Sequence, residues 1–259
     1  MTRAGRVAAE FRAGWRAFVR RRTAVFFTFF FPVLIVVIFG ALVRTQPTGG
    51  GLFAEPPEYY IAGYLAVVVL FTPLSRIGSE VARHRDGNRF EKLATTPLRR
   101  WEWLLAHTLV NAVVIGAAAL LLFVLTVTIT DASVPLSPWL ALTAPLVVVG
   151  VALFCGLGAL LGRLADSQDG VIAASNGVAL PLLFLSETFV SPALLPEWFL
   201  PLVNLSPLTY FARGTRALVY APASETVPDP GVTLVNLGIL FVVAVVLFVA
   251  GAIALPRTD

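Results

Sequence analysis

The chain has 259 residues, of which 58% are hydrophobic and only 13% are charged, with a net charge of +4 at neutral pH. Soluble domains carry about 25% charged residues, so this composition excludes an ordinary soluble protein and predicts an all-α polytopic membrane protein. The apolar runs reach the roughly 20 residues that a membrane-spanning helix needs, which excludes a β-barrel built from shorter alternating segments.

The N-terminal segment, residues 1–23, is predicted to form an amphipathic interfacial helix. It carries seven arginines, and its apolar residues recur at helical spacing. These apolar residues are Val7, Phe11, Trp15, Phe18 and Val19. We expect this helix to lie on an anionic leaflet. The alternative is a basic N-terminus that only follows the positive-inside rule.

Six transmembrane helices are predicted in a transmembrane domain of residues 24–255, which a tail of residues 256–259 follows. The predicted spans are 24–43, 59–75, 103–129, 139–161, 171–189 and 232–255. Pro32 predicts a kink in the first span, because proline removes a helix hydrogen bond.

Two segments between the spans have compositions that an ordinary loop lacks. Residues 76–103 hold seven of the nineteen basic residues and mix charged with apolar groups, which predicts a short surface helix. Residues 187–231 contain short apolar stretches broken by prolines, which predicts a re-entrant outer hairpin before the last span.

The distribution of basic residues predicts the orientation. With both termini, residues 76–103 and the turn at Arg163 on one side, only Arg44, Arg213 and Arg216 remain on the other. The positive-inside rule therefore places both termini and residues 76–103 in the cytoplasm.

The sequence lacks motifs for catalysis by this chain. The only lysine, Lys92, follows Glu91 rather than a glycine, so no phosphate-binding loop of the Walker type is present. The sequence has one cysteine and two separated histidines, and these predict no metal site. We therefore expect neither enzymatic activity nor a cofactor bound to this chain.

A few polar residues fall within the predicted spans. His107 and Asn111 are one helical turn apart, and an interhelical hydrogen bond is favoured over a substrate contact for both. Asn176 receives the same interpretation. Glu187 opens the proline-rich segment, where it is either a group of an outer gate or an interfacial carboxylate that faces water.

Two motifs in register with the six spans resemble type 2 ABC-exporter permeases of the daunorubicin-resistance type. In residues 76–103 the matching positions are Glu80, Glu91, Leu93, Thr95, Thr96, Pro97 and Glu102. The second motif is Leu195-Pro196-Glu197-Trp198 followed by Ser206-Pro207-Leu208-Thr209-Tyr210. The chain departs from the family pattern at Asn88-Arg89, where a Gly-Thr pair is usual, and at Glu187, where a small residue is usual.

The resemblance implies a permease subunit in the plasma membrane of a prokaryote. It implies a separate ABC ATP-binding subunit that binds ATP and Mg²⁺, and a second permease copy, identical or paired. It also implies membrane lipid as a partner, whereas a nucleic acid is not expected. Residues 76–103 would be the coupling helix, with contacts at Glu80, Arg83, Arg85, Glu91, Lys92 and Glu102. The outer gate or substrate path would include Glu187, Asn204, Ser206 and Tyr210.

The expected function is export of an amphipathic, lipid-like or drug-like substrate, powered by the separate ATPase. One alternative is a secondary carrier coupled to an ion gradient, which would need carboxylates within its spans. The other is a membrane scaffold that transports nothing.

Overall fold

The computed structural model of the chain describes residues 2–38, 55–130, 132–189, 195–220 and 228–256. Within these ranges the regular structure is entirely helical. The α-helices are α1 (Arg3–Arg20), α2 (Arg22–Ile35), α3 (Pro57–Asp86), α4 (Arg89–Ala94), α5 (Arg100–Ile129), α6 (Thr143–Leu164), α7 (Gln168–Phe184), α8 (Leu200–Val203), α9 (Pro207–Val219) and α10 (Pro230–Ala254). Short 3-10 turns at Pro138–Leu142 and Glu197–Phe199 precede α6 and α8.

Local sequence signals set several helix starts. Ser167 accepts a hydrogen bond from the amide of Gly170 at 3.0 Å, and Asp229 accepts one from Val232 at 3.0 Å. These side chains satisfy amide groups that the first turns of α7 and α10 leave without a helical partner. Proline occupies the first position of α3 and of α9, where its missing N–H costs nothing.

Four described helical segments are long and apolar enough to cross a membrane. They are α3, α5, the 3-10 turn with α6 (Pro138–Leu164), and α10. The chain is therefore a multi-pass membrane protein, as the sequence predicts, and the second, third, fourth and sixth predicted spans are found as helices.

The first and fifth predicted spans do not each correspond to a helix that is long and apolar enough to cross a membrane by itself. The helical segment Arg22–Ile38 follows α1 at a bend of 81°, and the two count as a fifth candidate only if taken together. Residues 39–43 of the predicted first span lie outside the described residues. Helix α7 has 17 residues and is about 25 Å long at 1.5 Å per residue, which is short for a core of about 30 Å. The six-span layout stays a prediction.

Helix α3 is the centre of the bundle and contacts α5, α6, α7 and α9. Its most apolar 18-residue stretch is 78% buried, against 22% for α10, which lies at the periphery. Gly158 and Gly162 of α6 form a small-xxx-small pair against α3. A Cβ atom on Gly158 would stand 2.5 Å from the carbonyl oxygen of Leu74, so only glycine permits this approach.

The segment 76–103 differs from its prediction as a loop with a surface helix. Helix α3 continues through its first half to Asp86, because Ile77 and Val81 are one turn apart and both are buried in the helical core. Helix α4 covers only six residues, Arg89–Ala94. A left-handed residue, Asn88 with φ 49°, makes the turn between them. Asn88 stands where the family pattern has a glycine, and asparagine tolerates this conformation better than most residues.

Helix α1 lies within the predicted N-terminal segment, whose interfacial position stays a prediction, and its apolar residues point in two directions. Phe18 is buried against Val110 and Val114 of α5, and Phe11 packs on the same cluster. Trp15 remains exposed. Part of the apolar face that we expected to meet lipid therefore binds α5.

The segment 187–231 contains only short helices in its described part. The 3-10 turn at Glu197–Phe199, α8 and α9 are each too short to cross a membrane, and α9 packs on α3, α6 and α10. Residues 190–194 and 221–227 lie outside the described residues, so the re-entrant hairpin stays a prediction.

Candidate functional site

Glu80 lies in the last third of α3 and is paired within the chain. Its carboxylate forms an ion pair with Arg83, one turn further on, and lies 3.5 Å from the guanidinium of Arg21. The Nδ1 atom of His84 lies 3.6 Å from the carboxylate and 2.9 Å from the Glu80 carbonyl oxygen. The Glu80 side chain is only 13% exposed, so it presents little surface to a partner protein.

Glu102 lies in the first turn of α5 and is completely buried. It accepts two hydrogen bonds from the guanidinium of Arg6, from Nε at 2.9 Å and from Nη2 at 2.5 Å. It also accepts one from the backbone amide of Arg99 at 2.9 Å. This geometry is the bidentate arginine–carboxylate pair, reinforced by a helix N-cap contact.

These contacts join α1 to the ends of α3 and α5, and we call the set the α1 junction. It consists of Arg6–Glu102, Arg21–Glu80 and a third pair, in which His107 Nε2 donates to Glu10 at 3.2 Å. In addition, the guanidinium of Arg76 lies over the Phe18 ring, 4.3 Å from its centroid. Neither Arg6 nor Glu10 was predicted as a site residue from the sequence. Buried Glu102 needed a cationic partner, but eighteen arginines made the choice ambiguous.

Arg85 caps another helix rather than facing solvent. Its Nη1 atom donates to the carbonyl oxygen of Ala165 at 2.6 Å, just after the last turn of α6. The last carbonyls of a helix lack partners within the helix, and a cation there is favourable. Arg85 therefore holds the end of α3 against the end of α6.

Glu91 and Lys92 have exposed side chains on α4. No hydrogen bond or ion pair engages either side chain in the described part of the chain. The opposite side of α4 is anchored, because the Phe90 ring lies 5.4 Å from Trp103 and 5.5 Å from His84. Leu93 packs on the main core. Helix α4 thus exposes the charged side chains of Glu91 and Lys92 on one side and packs Phe90 and Leu93 against the protein on the other.

At a distance from the α1 junction, Glu187 follows α7 and is buried, with 4% of its side chain exposed. It accepts two hydrogen bonds from the guanidinium of Arg213 on α9, one of them from Nε at 2.9 Å. Nη2 of Arg216 donates to the Glu187 backbone carbonyl at 2.6 Å. Nη1 of Arg213 also donates to the side-chain oxygen of Asn204 at 2.9 Å. We call Glu187, Asn204, Arg213 and Arg216 the Glu187 cluster.

Electrostatics differ between the two arginines of the Glu187 cluster. The hydrogen bond with Glu187 raises the pKa of Arg213 above its usual value. Burial lowers the pKa of Arg216, whose guanidinium also lies 3.9 Å from the centroid of the Tyr59 ring. Nearby, Tyr220 donates to Glu55 at 3.0 Å, and burial raises the pKa of Tyr220 to about 12.

The other two residues predicted for the outer gate hold the backbone in place. Ser206 is buried, and its hydroxyl donates to the carbonyl oxygen of Leu182 at 3.0 Å. Tyr210 donates to the carbonyl oxygen of Asn204 at 2.8 Å. Four predicted residues therefore lie together around the start of α9, whereas Arg213 and Arg216 were missed. The signal was available, because these are the only two cations in residues 187–231.

In the described part of the chain, His107 makes the interhelical hydrogen bond that was predicted for it, whereas Asn111 and Asn176 do not. Asn111 donates to the carbonyl oxygen of His107 in its own helix at 2.9 Å, while His107 makes the interhelical contact with Glu10. Asn176 is exposed on α7 rather than bonded to another helix. No group of three His, Cys, Asp or Glu side chains that could hold a metal ion occurs among the described residues.

Comparison with known proteins places this arrangement in a family. The family described as ABC-2 type transporter matches residues 6–220, which include the α1 junction and the Glu187 cluster. The chain belongs to the ABC-2 type transporter family. This finding confirms the resemblance drawn from the two motifs.

Two relatives illustrate the similarity. The chain is 35% identical over 65 residues to the daunorubicin resistance ABC transporter permease protein DrrB1 of Streptomyces coeruleorubidus, a stretch of 25% of this chain and 23% of that protein. It is 26% identical over 187 residues to the inner membrane transport permease YadH of Escherichia coli strain K12, covering 71% of this chain and 70% of that protein. Membership of the ABC-2 family and the described apolar helices identify a multi-pass transport permease.

Proposed function

We propose that this chain is the transmembrane subunit of an ATP-binding-cassette exporter and that a separate subunit hydrolyses ATP. Family membership supports the transporter class. The observation that carries the coupling proposal is α4, which presents Glu91 and Lys92 to solvent between two candidate spans. A charged helix on a fixed base is a suitable contact for a soluble partner.

The six predicted coupling residues divide into two groups by burial. Glu91 and Lys92 are exposed and would contact the ATPase directly. Glu80, Arg83, Arg85 and Glu102 are engaged within the chain, so they would act by fixing the ends of α3 and α5 around α4. A push on α4 would then reach both spans, because α4 is joined to α3 and α5 by short connections.

The Glu187 cluster supports the proposed outer gate. It connects the end of α7 to α9, and Ser206 adds a hydrogen bond from the start of α9 to α7. Separating α9 from α7 would break a buried, bidentate ion pair. We propose that this pair keeps the pathway closed until ATP binding rearranges the helices.

Several features support an amphipathic, lipid-like or drug-like cargo that moves outward. An apolar groove of about 450 Å³ lies between α3, α5 and α6, lined by residues such as Leu65, Phe123 and Val147. A hydrophilic cargo would find few polar partners there. The name of DrrB1 refers to daunorubicin resistance, and daunorubicin-like drugs are accordingly the first compounds to screen.

The proposed setting is the plasma membrane of a prokaryote, with both termini and α4 in the cytoplasm. The exposed apolar faces of α2 and α10 would meet lipid and a second permease copy. A carrier driven by an ion gradient is less well supported, because the two most buried carboxylates among the described residues, Glu102 and Glu187, are both paired with arginine. Transport by such a carrier would survive ATP depletion and stop with an ionophore.

Co-purification tests the ATPase coupling. Glu91→Ala with Lys92→Ala should reduce recovery of a co-expressed ABC ATP-binding subunit by at least about tenfold, if the pair contributes about 1.4 kcal/mol or more to binding. Arg89→Ala is the control, because Arg89 is an exposed charge of the same helix. Equal recovery with the double variant and with this control would contradict the proposal.

A further inference from the structure

A second groove lies where α4, the start of α5 and the end of α10 meet. Its volume is about 970 Å³, at the upper end of the roughly 300–1,000 Å³ of ligand sites. We call it the Arg99 groove. Its lining includes Leu93, Arg99, Arg100, Arg163, Phe248 and Val249.

The rim of the Arg99 groove is cationic. Arg99, Arg100 and Arg163 line it, and the described lining contains no acidic side chain. Arg100 is held at the rim because its Nη1 atom donates to the carbonyl oxygens of Ile253 at 2.9 Å and Leu255 at 2.8 Å. Over the described ranges, no hydrogen bond or ion pair engages the guanidinium of Arg99 or Arg163. Two arginines at this rim thus retain donors for an anionic group.

The floor of the groove is apolar and belongs to a candidate membrane span. Phe248 and Val249 of α10 lie six to seven residues before Leu255, or about 10 Å along the helix axis. Trp101, a residue type that favours the membrane interface, also lines the groove. The groove therefore changes from charged to apolar along the direction in which α10 crosses the membrane.

We propose that the Arg99 groove binds one anionic phospholipid. Arg99 and Arg163 would bind its phosphate, since guanidinium groups pair with phosphate bidentately, and an acyl chain would lie along Leu93, Phe248 and Val249. A soluble protein partner fits less well, because it would have to reach a floor formed by a membrane span. The bound lipid would fill the space between α4 and α10. This inference needs α5 and α10 to cross a membrane and is independent of the ATPase partner.

Thermal unfolding of the full-length protein in a non-ionic detergent tests the proposal. Dioleoyl phosphatidylglycerol should raise the Tm by at least about 3 °C more than dioleoyl phosphatidylcholine at the same concentration, because a ligand that binds only the folded state stabilises it. Arg99→Gln with Arg163→Gln should remove most of this difference. Val249→Trp, which fills the groove and leaves both arginines, should also remove it.

The control is Arg89→Gln, which removes an exposed arginine of α4 that does not line the groove and should keep the full difference. The comparison is made within each variant, so a lower starting Tm does not affect it. An equal shift with phosphatidylcholine would overturn the proposal, as would an equal shift with soluble glycerol phosphate or equal loss in the control. A lipid-insensitive Tm together with loss of ATPase co-purification in the groove variants would identify a protein-docking surface instead.

Discussion

At the scale of single residues, three of the four acids predicted as site residues, Glu80, Glu102 and Glu187, pair with arginines, whereas Glu91 is open to solvent. Glu102 is completely buried and Glu187 nearly so, and each receives a bidentate guanidinium. A buried carboxylate without a cation would be costly, which explains why both pairs persist in an apolar bundle. Glu187 does not face water, which contradicts one of its two predicted alternatives, and its role in an outer gate stays a proposal.

The Glu187 ion pair makes a prediction about stability. Breaking a fully buried pair costs about 3–5 kcal/mol, and because Arg213 is 34% exposed we expect the lower end for Glu187→Ala. The Tm in detergent should fall by roughly 6–12 °C at about 2–4 °C per kcal/mol. Glu197→Ala, an exposed acid of the same segment, should leave the Tm unchanged. The Glu187→Ala Arg213→Ala double variant should lose less than the sum of the single losses.

At the scale of elements, close helix packing through glycine positions the spans. Gly156 of α6 faces α10 much as Gly158 faces α3, since a Cβ atom on Gly156 would stand 2.6 Å from the carbonyl oxygen of Leu247. Two helices thus approach α6 on different sides at glycine positions. Such approaches give van der Waals contact and strengthen association where no hydrophobic effect operates between helices in lipid.

Replacing one of these glycines tests the packing. Gly158→Ala should lower the Tm by several degrees, because the new methyl group would overlap the backbone of α3 and overpacking costs about 1–3 kcal/mol. Gly238→Ala on α10 is the control, since open space surrounds that position, and alanine favours a helix by about 1 kcal/mol. A control that loses as much as Gly158→Ala would show that general helix effects, and not packing on α3, explain the result.

The sequence predicted those helices that depend on interactions between residues close together in the chain. Apolar runs and proline positions are local, so the helices from Pro57 to Ala254 agree with the predicted spans within a few residues at most ends. The continuation of α3 to Asp86 was missed because charged residues outnumber the two large apolar residues that are buried there, Ile77 and Val81, and only the neighbouring helices reveal that face. Partner choice among many arginines, as for Arg6 and Arg213, depends on the tertiary fold and was beyond a single sequence.

At the scale of the whole molecule, two exposed residues on either side of α5 allow the predicted membrane orientation to be tested. Lys92 is exposed on α4, and Leu136, in the connection between α5 and the following 3-10 turn, is 92% exposed. Lys92 precedes the first residue of α5 and Leu136 follows its last residue. The two positions therefore lie on opposite sides of the membrane if α5 crosses it.

Cysteine labelling tests this orientation. In a Cys155→Ala background, a membrane-impermeant maleimide should label Leu136→Cys in intact cells and Lys92→Cys only after permeabilisation. The native cysteine is fully buried, so its replacement by alanine should preserve the fold with a small loss of packing. Labelling of Lys92→Cys in intact cells would invert the proposed topology and remove the basis for ATPase contact at α4.

The α1 junction has a mechanical consequence. The ion pairs of α1 bridge Glu80 near the far end of α3 and Glu102 in the first turn of α5, the two elements between which α4 is suspended. We expect α1, an 18-residue helix bound through Arg6 at one helix end and followed by Arg21 at the other, to resist separation of the two ends. The ends of α3 and α5 should therefore move together as one unit.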